Sequence, residues 1–137
     1  MPRKYFIDAW FFIALIEPRD AHHRASLRLS QHIATTTLIT SELVLGEVLA
    51  YFAEEGPRAR AIAARAVRDA IRDSEVVSVD RPLFLRALDL YERRSDKQYS
   101  LVDCMSFVVM RDRGITHVLT NDHHFRQEGF TVLSDAP

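Results

Sequence analysis

Four acidic residues, Asp8, Glu47, Asp103 and Asp122, stand where a carboxylate is costly or out of pattern. Asp8 closes the short run Tyr5-Phe6-Ile7, and the apolar stretch Trp10 to Ile16 follows at once. A charge between two buried segments is expensive unless it is paired or holds a cation. Asp122 comes just after Thr116-His117-Val118-Leu119-Thr120, another short apolar run; a lone Asp there also suits a turn or cap. Glu47 shares a helical face with Leu43, Val44 and Tyr51. It is therefore either half-buried or a boundary residue reaching solvent. Asp103 opens the nearly all-apolar segment Leu101 to Met110, and with Ser100 it has the spacing of a capping box, Asp replacing the usual Glu. Taken alone, that structural explanation serves Asp103 as well as a site does. Glu42 differs from these, because an acid in a first helical turn favours the dipole and reads as structural. The carboxyl ends of parallel strands share one edge, which is where ligands bind. Two acids on that edge and two oddly placed helical acids point to one site, founded by Asp8.

The elements that must position these acids alternate in type. Tyr5 to Ile7 reads as a first strand buried on both faces. Trp10 to Ile16 reads as a short buried helix closed by Glu17-Pro18. Asp20 is placed to cap a second helix carrying Ala25, Leu29 and Ile33. Thr35 to Ile39 is a β-branched second strand, and Ser41 opens a helix to about Glu55, stopped by Gly56-Pro57. Arg58 to Asp73 forms a helix with Ile62, Val67, Ala70 and Ile71 near one face; Val76 to Val79 is a third strand. Asp80 caps a helix striped by Leu83, Phe84, Ala87, Leu88 and Tyr91, for which a core role is expected. Ser100 opens a helix ending near Arg113-Gly114. Thr116 to Thr120 and Phe130 to Leu133 complete five strands. This alternation predicts an α/β fold with a mostly parallel sheet and helices on both faces.

Length and composition set the bounds. The 137 residues fit one domain, 1–137, with 47% apolar and 27% charged residues, ordinary for a soluble globular protein. The single Cys104 excludes an internal disulfide and fits a reducing compartment, so a cytoplasmic protein is expected. Tyr5 to Ile16 is too short to span a bilayer and lacks a cleavage site, so neither a membrane segment nor a signal peptide is expected. The net charge of -1 gives no bulk nucleic-acid signal, although a basic rim around an acidic centre remains compatible with RNA.

Taken together, several pieces resemble the PIN-domain ribonucleases, specifically the small VapC-like toxins of type II toxin–antitoxin systems. They are Phe6-Ile7-Asp8, Thr40-Ser41-Glu42-Leu43-Val44-Leu45-Gly46-Glu47, Tyr99-Ser100-Leu101-Val102-Asp103-Cys104, and Leu119-Thr120-Asn121-Asp122-His123-His124-Phe125 with Gly129-Phe130 after it. Each piece is weak alone; their order and spacing are specific, and the resemblance covers essentially the whole chain. It implies a three-layer fold with five strands in the order 3-2-1-4-5, placing strands one and four together at the switch point. It also implies that Asp8, Glu47, Asp103 and Asp122 form a metal site and are the catalytic residues of a metal-dependent endoribonuclease. The implied partners are RNA as substrate, a second copy in a homodimer, and a small inhibitory antitoxin. The family usually carries a small polar residue two places after the first Asp, where this chain has Trp10. A core role is expected for Trp10, with base stacking as the alternative.

Such a site has defined chemistry. Clustered carboxylates repel one another and hold protons more tightly until a cation relieves them. Oxygen ligands without a Cys or His cluster suit Mg²⁺ or Mn²⁺ rather than Zn²⁺. These ions lower the pKa of a water and stabilise a leaving oxygen, which fits hydrolysis of an RNA phosphodiester; the resemblance implies a 5′-phosphate and a 3′-hydroxyl as the products. No side-chain nucleophile is needed; Ser100 reads as a cap or as a group supporting the site, and orienting waters is a role open to Thr120 and Asn121 but assigned to neither. His22 and His23 read as surface residues and Cys104 as core. Arg58, Arg60, Arg65, Arg68 and Arg72 read as a solvated helix face. Three rivals stand beside this reading. Asp122-His123-His124 spells the signature of the DHH phosphoesterases, but their further Asp and His motifs are absent. Receiver domains also gather acids at strand ends, yet Asp8 is followed by Ala9 rather than by another acid. A binding module with this fold and no catalysis is the non-enzymatic rival.

Overall fold

The computed structural model describes residues 3–33 and 37–134. Among them the elements run β1 (Lys4–Ile7), α1 (Ala9–Ile16), α2 (His23–His32), β2 (Thr37–Ser41), α3 (Glu42–Tyr51), α4 (Pro57–Asp73) and β3 (Glu75–Val77). They continue with α5 (Arg81–Arg93), α6 (Leu101–Asp112), β4 (His117–Leu119), α7 (His124–Gln127) and β5 (Thr131–Leu133). The sheet order is β3-β2-β1-β4-β5 and every pairing is parallel, with Phe6 beside Ile39 on one side and Val118 on the other. No helix among the described residues is long and apolar enough to cross a membrane.

The central strand β1 feeds two cores because successive side chains leave opposite faces of a sheet. Phe6 enters the larger core with Val44, Val48, Ala87, Phe107 and Val109, beneath α3, α5 and α6. Tyr5 and Ile7 enter the smaller one with Phe11, Leu29 and Ile33, beneath α1 and α2. The helix α6 is buried from Asp103 to Met110, as its all-round apolar sequence implies. The helix starts follow their caps: Ser41 accepts from the Val44 amide, Asp80 from the Leu83 amide, and Gly56 at φ 96° precedes α4 with Pro57 in its first turn.

Several expectations need correction. The start of the second strand at Thr35 falls outside the described residues, and Thr37 to Ser41 is the strand observed. Asp20 does not cap α2: its Oδ1 accepts from the His22 amide in a local turn, and the helix begins at His23. His23 is not a surface residue but half-buried, with Nδ1 2.7 Å from the Ala14 carbonyl oxygen. The helix α3 stops at Tyr51 rather than near Glu55. On α5 the stripe splits, with Leu83, Ala87 and Leu90 buried while Phe84, Leu88 and Tyr91 stay exposed. Both trios have i, i+4, i+7 spacing, and α6 covers only one of them. On α4, Ala63 and Ala70 are buried whereas Ile62 and Ile71 are exposed. Trp10 is not core: 38% of it is exposed, although Ala9, Phe11, Ile13 and Ala14 of the same helix are buried.

Candidate active site

The four acids arrive from four places. Asp8 lies between β1 and α1, Glu47 is in the middle of α3, Asp103 is in the first turn of α6, and Asp122 follows β4. Because β1 and β4 are adjacent and parallel, their carboxyl ends bring Asp8 and Asp122 to one edge. The N-terminal half of α6 and the middle of α3 meet that edge from the larger core. The result is one cluster, in which Asp8 feels the charges of Asp103 and Glu47, and Glu47 and Asp103 both feel Asp122.

Burial sets the electrostatics. Asp8 is almost wholly enclosed; that enclosure, with Asp103 and Glu47 adding to it, pushes its carboxyl up to about 7 despite a hydrogen bond from Thr120. Burial also raises Glu47, followed by the charges of Asp103 and Asp122. Asp103 is raised by burial and by Asp122, while the Ser100 amide and His124 act in the opposite sense. Three neighbouring carboxyls, those of Asp8, Glu47 and Asp103, pushed toward the neutral form make a centre short of positive charge.

Hydrogen bonds fix the ligating geometry. The Thr120 hydroxyl donates to Asp8 Oδ2 at 2.8 Å and accepts from the Asp122 amide at 3.0 Å, so one side chain orders two of the acids. Thr40, also buried, donates to the Ile7 carbonyl at 2.8 Å and secures the strand end before Asp8. Asp103 completes the capping box with Ser100, and its Oδ2 accepts from the Ser100 amide at 3.0 Å. The capping reading of Asp103 is therefore borne out, and the cap still leaves this carboxyl among the clustered acids. Asp122 likewise makes a turn, accepting from the His124 amide on Oδ1 at 3.0 Å. These bonds fall on Oδ2 of Asp8, Oδ2 of Asp103 and Oδ1 of Asp122, and the Ala9 amide is a further donor to the Asp8 carboxyl.

Sequence reasoning missed His124. Its Nδ1 lies 3.0 Å from Asp103 Oδ2 and 3.3 Å from Asp122 Oδ1, bridging the two carboxylates. An ionised carboxylate only accepts, so the ring nitrogen carries the proton. The turn at Asp122 is a local signal for where His124 lies; its contact with Asp103, on another helix, left no trace in the sequence. Asp122, His123 and His124 can also bring ligand atoms within 4.8 Å of one another. With Nδ1 engaged by two acids, His124 acts on the centre as a donor to the carboxylates. The oxygen-rich donor set fits Mg²⁺ or Mn²⁺, and the buried, charge-short Asp8 is the observation that calls for a cation.

Comparison with known proteins agrees with this architecture. The PIN domain, as a family, matches residues 5–130. The 23S rRNA-specific endonuclease VapC20 of Mycobacterium tuberculosis is 33% identical over 129 residues, covering 93% of this chain and 96% of the relative. The crystal structure of that Mycobacterium tuberculosis protein, described as a sarcin-ricin loop cleaving toxin, superimposes with a TM-score of 0.82 at 30% identity over 93% of this chain and 96% of that one. VapBC2 of Rickettsia felis, bound to a DNA fragment from its promoter, shares the fold, with a TM-score of 0.71 at 10% identity over 97% of this chain and 99% of that chain.

Proposed function

This chain belongs to the PIN-domain family, and from that premise we propose that it is a metal-dependent endoribonuclease and the toxin of a toxin–antitoxin pair. The observation that carries the reading is the convergence of Asp8, Glu47, Asp103 and Asp122 into one cluster of mutually interacting carboxyls, in which burial holds Asp8 up to about 7. The catalytic and metal-holding roles go to these four side chains, and Mg²⁺ or Mn²⁺ is the ion they suit.

When bound, such a cation supplies activation of water and neutralisation of phosphoryl charge. The chain's own residues do the rest. Thr120 holds Asp8 and the Asp122 backbone in register. The Ser100 amide and His124 hold Asp103 from one side. With these groups preset, little reorganisation is left for the moment of reaction. Water replaces the 3′-oxygen at phosphorus, leaving a 5′-phosphate and a 3′-hydroxyl. The substrate class to test first is ribosomal RNA, since a relative at 33% identity is named for cleaving it. The proposed assembly is a cytoplasmic homodimer restrained by a small antitoxin. A cationic side chain from that partner would pair with the carboxylates and displace the ion.

Incubation with ribosomal, transfer and total RNA in the presence of Mg²⁺, Mn²⁺ or chelator tests the reading. Cleavage with either ion and none in chelator is the expected result. No cleavage of any RNA under any condition would leave the non-catalytic binding module in its place.

A further inference from the structure

From the surface beside the acidic centre we infer that Trp10 and the segment Asn121-Asp122-His123 form a subsite that takes one unpaired base of the RNA. This rests on the nuclease reading and extends it to how the strand is gripped.

A shallow cavity of about 470 Å³ opens directly against Asp122, and Trp10, Asp20, Ala21, His22, Asn121 and His123 line the rest of it. Its size falls within the range of small-ligand sites. Trp10 is two residues beyond Asp8, so the same turn of chain that delivers the most buried carboxylate also delivers the most exposed side chain of α1. The indole is steadied at one edge by Tyr51, with ring centroids 6.1 Å apart in an edge-on arrangement, and its 38% exposure leaves aromatic surface for a ligand. A large aromatic side chain left in water beside a polar centre forgoes burial that its neighbours in the helix obtain.

The lining chooses the ligand. Asp20 repels phosphate, and Asp122 belongs to the centre proposed to hold the cation, so the backbone of a nucleic acid is directed to that centre and its bases are left for this cavity. Asp20 is also occupied, accepting from the His22 amide at 2.8 Å. What remains is one indole face, two imidazoles and the Asn121 amide: π-surfaces for stacking, and paired donor and acceptor groups for a base edge. His123, with a side chain 70% exposed, tilts over His124 with ring centroids 4.6 Å apart, so this wall of the cavity continues into the side chain that bridges Asp103 and Asp122. Single strands are held in this way, by aromatic platforms next to a centre that takes the phosphate. An aliphatic protein side chain would leave the imidazole and amide groups unmatched.

Trp10 is the only tryptophan in the chain, so its fluorescence reports this position alone. The test titrates the full-length protein, with Ca²⁺ in place of Mg²⁺ or Mn²⁺ so that a cation fills the centre while cleavage is checked to be absent, with a short single-stranded oligoribonucleotide and with an abasic strand of equal length. Saturable quenching by the first, and binding at least about tenfold weaker by the second, is expected. In cleavage assays Trp10→Ala should raise KM about tenfold, more than it lowers kcat; Trp10→Phe should recover most of the loss, and Asn121→Ala should raise KM as well. Thermal melts of each variant separate this from unfolding. RNA cleavage with unchanged KM in Trp10→Ala and Asn121→Ala, or RNA binding without a change in emission, overturns the subsite and leaves the nuclease standing. A Trp10→Ala protein that handles RNA normally but no longer binds a protein partner overturns it too. Failure of the wild type to bind or cleave any RNA removes the nuclease reading itself.

Discussion

Asp8 concentrates the tension in this molecule. Its carboxyl ordinarily titrates near 3.8, but in the fold it is held up to about 7, chiefly by burial. Between those two values the folded chain binds the proton and the unfolded chain does not. Its stabilising contribution is therefore complete below about pH 4 and is lost as pH rises through about 7. Asp8→Asn removes that titration while keeping an acceptor for the Thr120 hydroxyl. In chelator, wild type should lose about 2–3 kcal/mol more stability than Asp8→Asn between about pH 5 and about pH 8. Urea denaturation at the two pH values measures this, and equal losses in both proteins would contradict it. At this scale the sequence was informative where a charge broke an apolar pattern: Asp8 and Asp122 at strand ends, Glu47 among Leu43, Val44 and Tyr51. It was silent where a contact is purely tertiary, as between His124 and Asp103, 21 residues apart. For Trp10 it pointed the wrong way, because an apolar run does not reveal which face of a short helix the sheet leaves bare.

Between elements, the strongest unforeseen feature is the clamp at Glu128. Its side chain is only 5% exposed, and Arg94 after α5 and Arg111 on α6 both reach it, at 3.0 and 2.7 Å. Burial opposes ionisation there, yet the two guanidinium groups hold the carboxyl down at about 2. That contribution is present above about pH 4.5 and fades only as pH falls toward 2. Glu128→Gln should cost about 2 kcal/mol at neutral pH, less than a fully buried pair because both arginines are partly exposed. Chemical denaturation checks this; no measurable change would show the pairs to be ornamental. Nothing in the sequence distinguishes Glu128 from a surface acid, since its partners lie 34 and 17 positions away. The helix α6 was legible because it is apolar on every side. The four-residue helix α7 was not, because it is too short to show a period and starts from the turn at Asp122.

The whole molecule follows from the alternation of strands and helices, which fixes a sheet covered on both faces; its strand order came from resemblance and agrees with the observed β3-β2-β1-β4-β5. What alternation does not fix is which helical faces remain outside. Phe84, Leu85, Leu88 and Tyr91 leave an apolar patch along α5. On the proposed homodimer this is the face expected to meet a second copy. Light scattering should give twice the monomer mass for wild type, and Leu85→Glu should give the monomer with its fold intact. A wild-type monomer would contradict the assembly.

The measurement closest to the central claim is the rate of ribosomal RNA cleavage as a function of Mn²⁺ concentration, in wild type and in Asp103→Asn. Asparagine at 103 keeps the size of the side chain and an acceptor for the Ser100 amide, but it removes one charge from the cluster. The wild-type rate should rise and saturate with Mn²⁺, and the variant should be slower by about a hundredfold or more at every concentration. Equal rates in the two proteins, or cleavage that persists in chelator, would contradict the assignment of these four carboxylates as the catalytic metal centre.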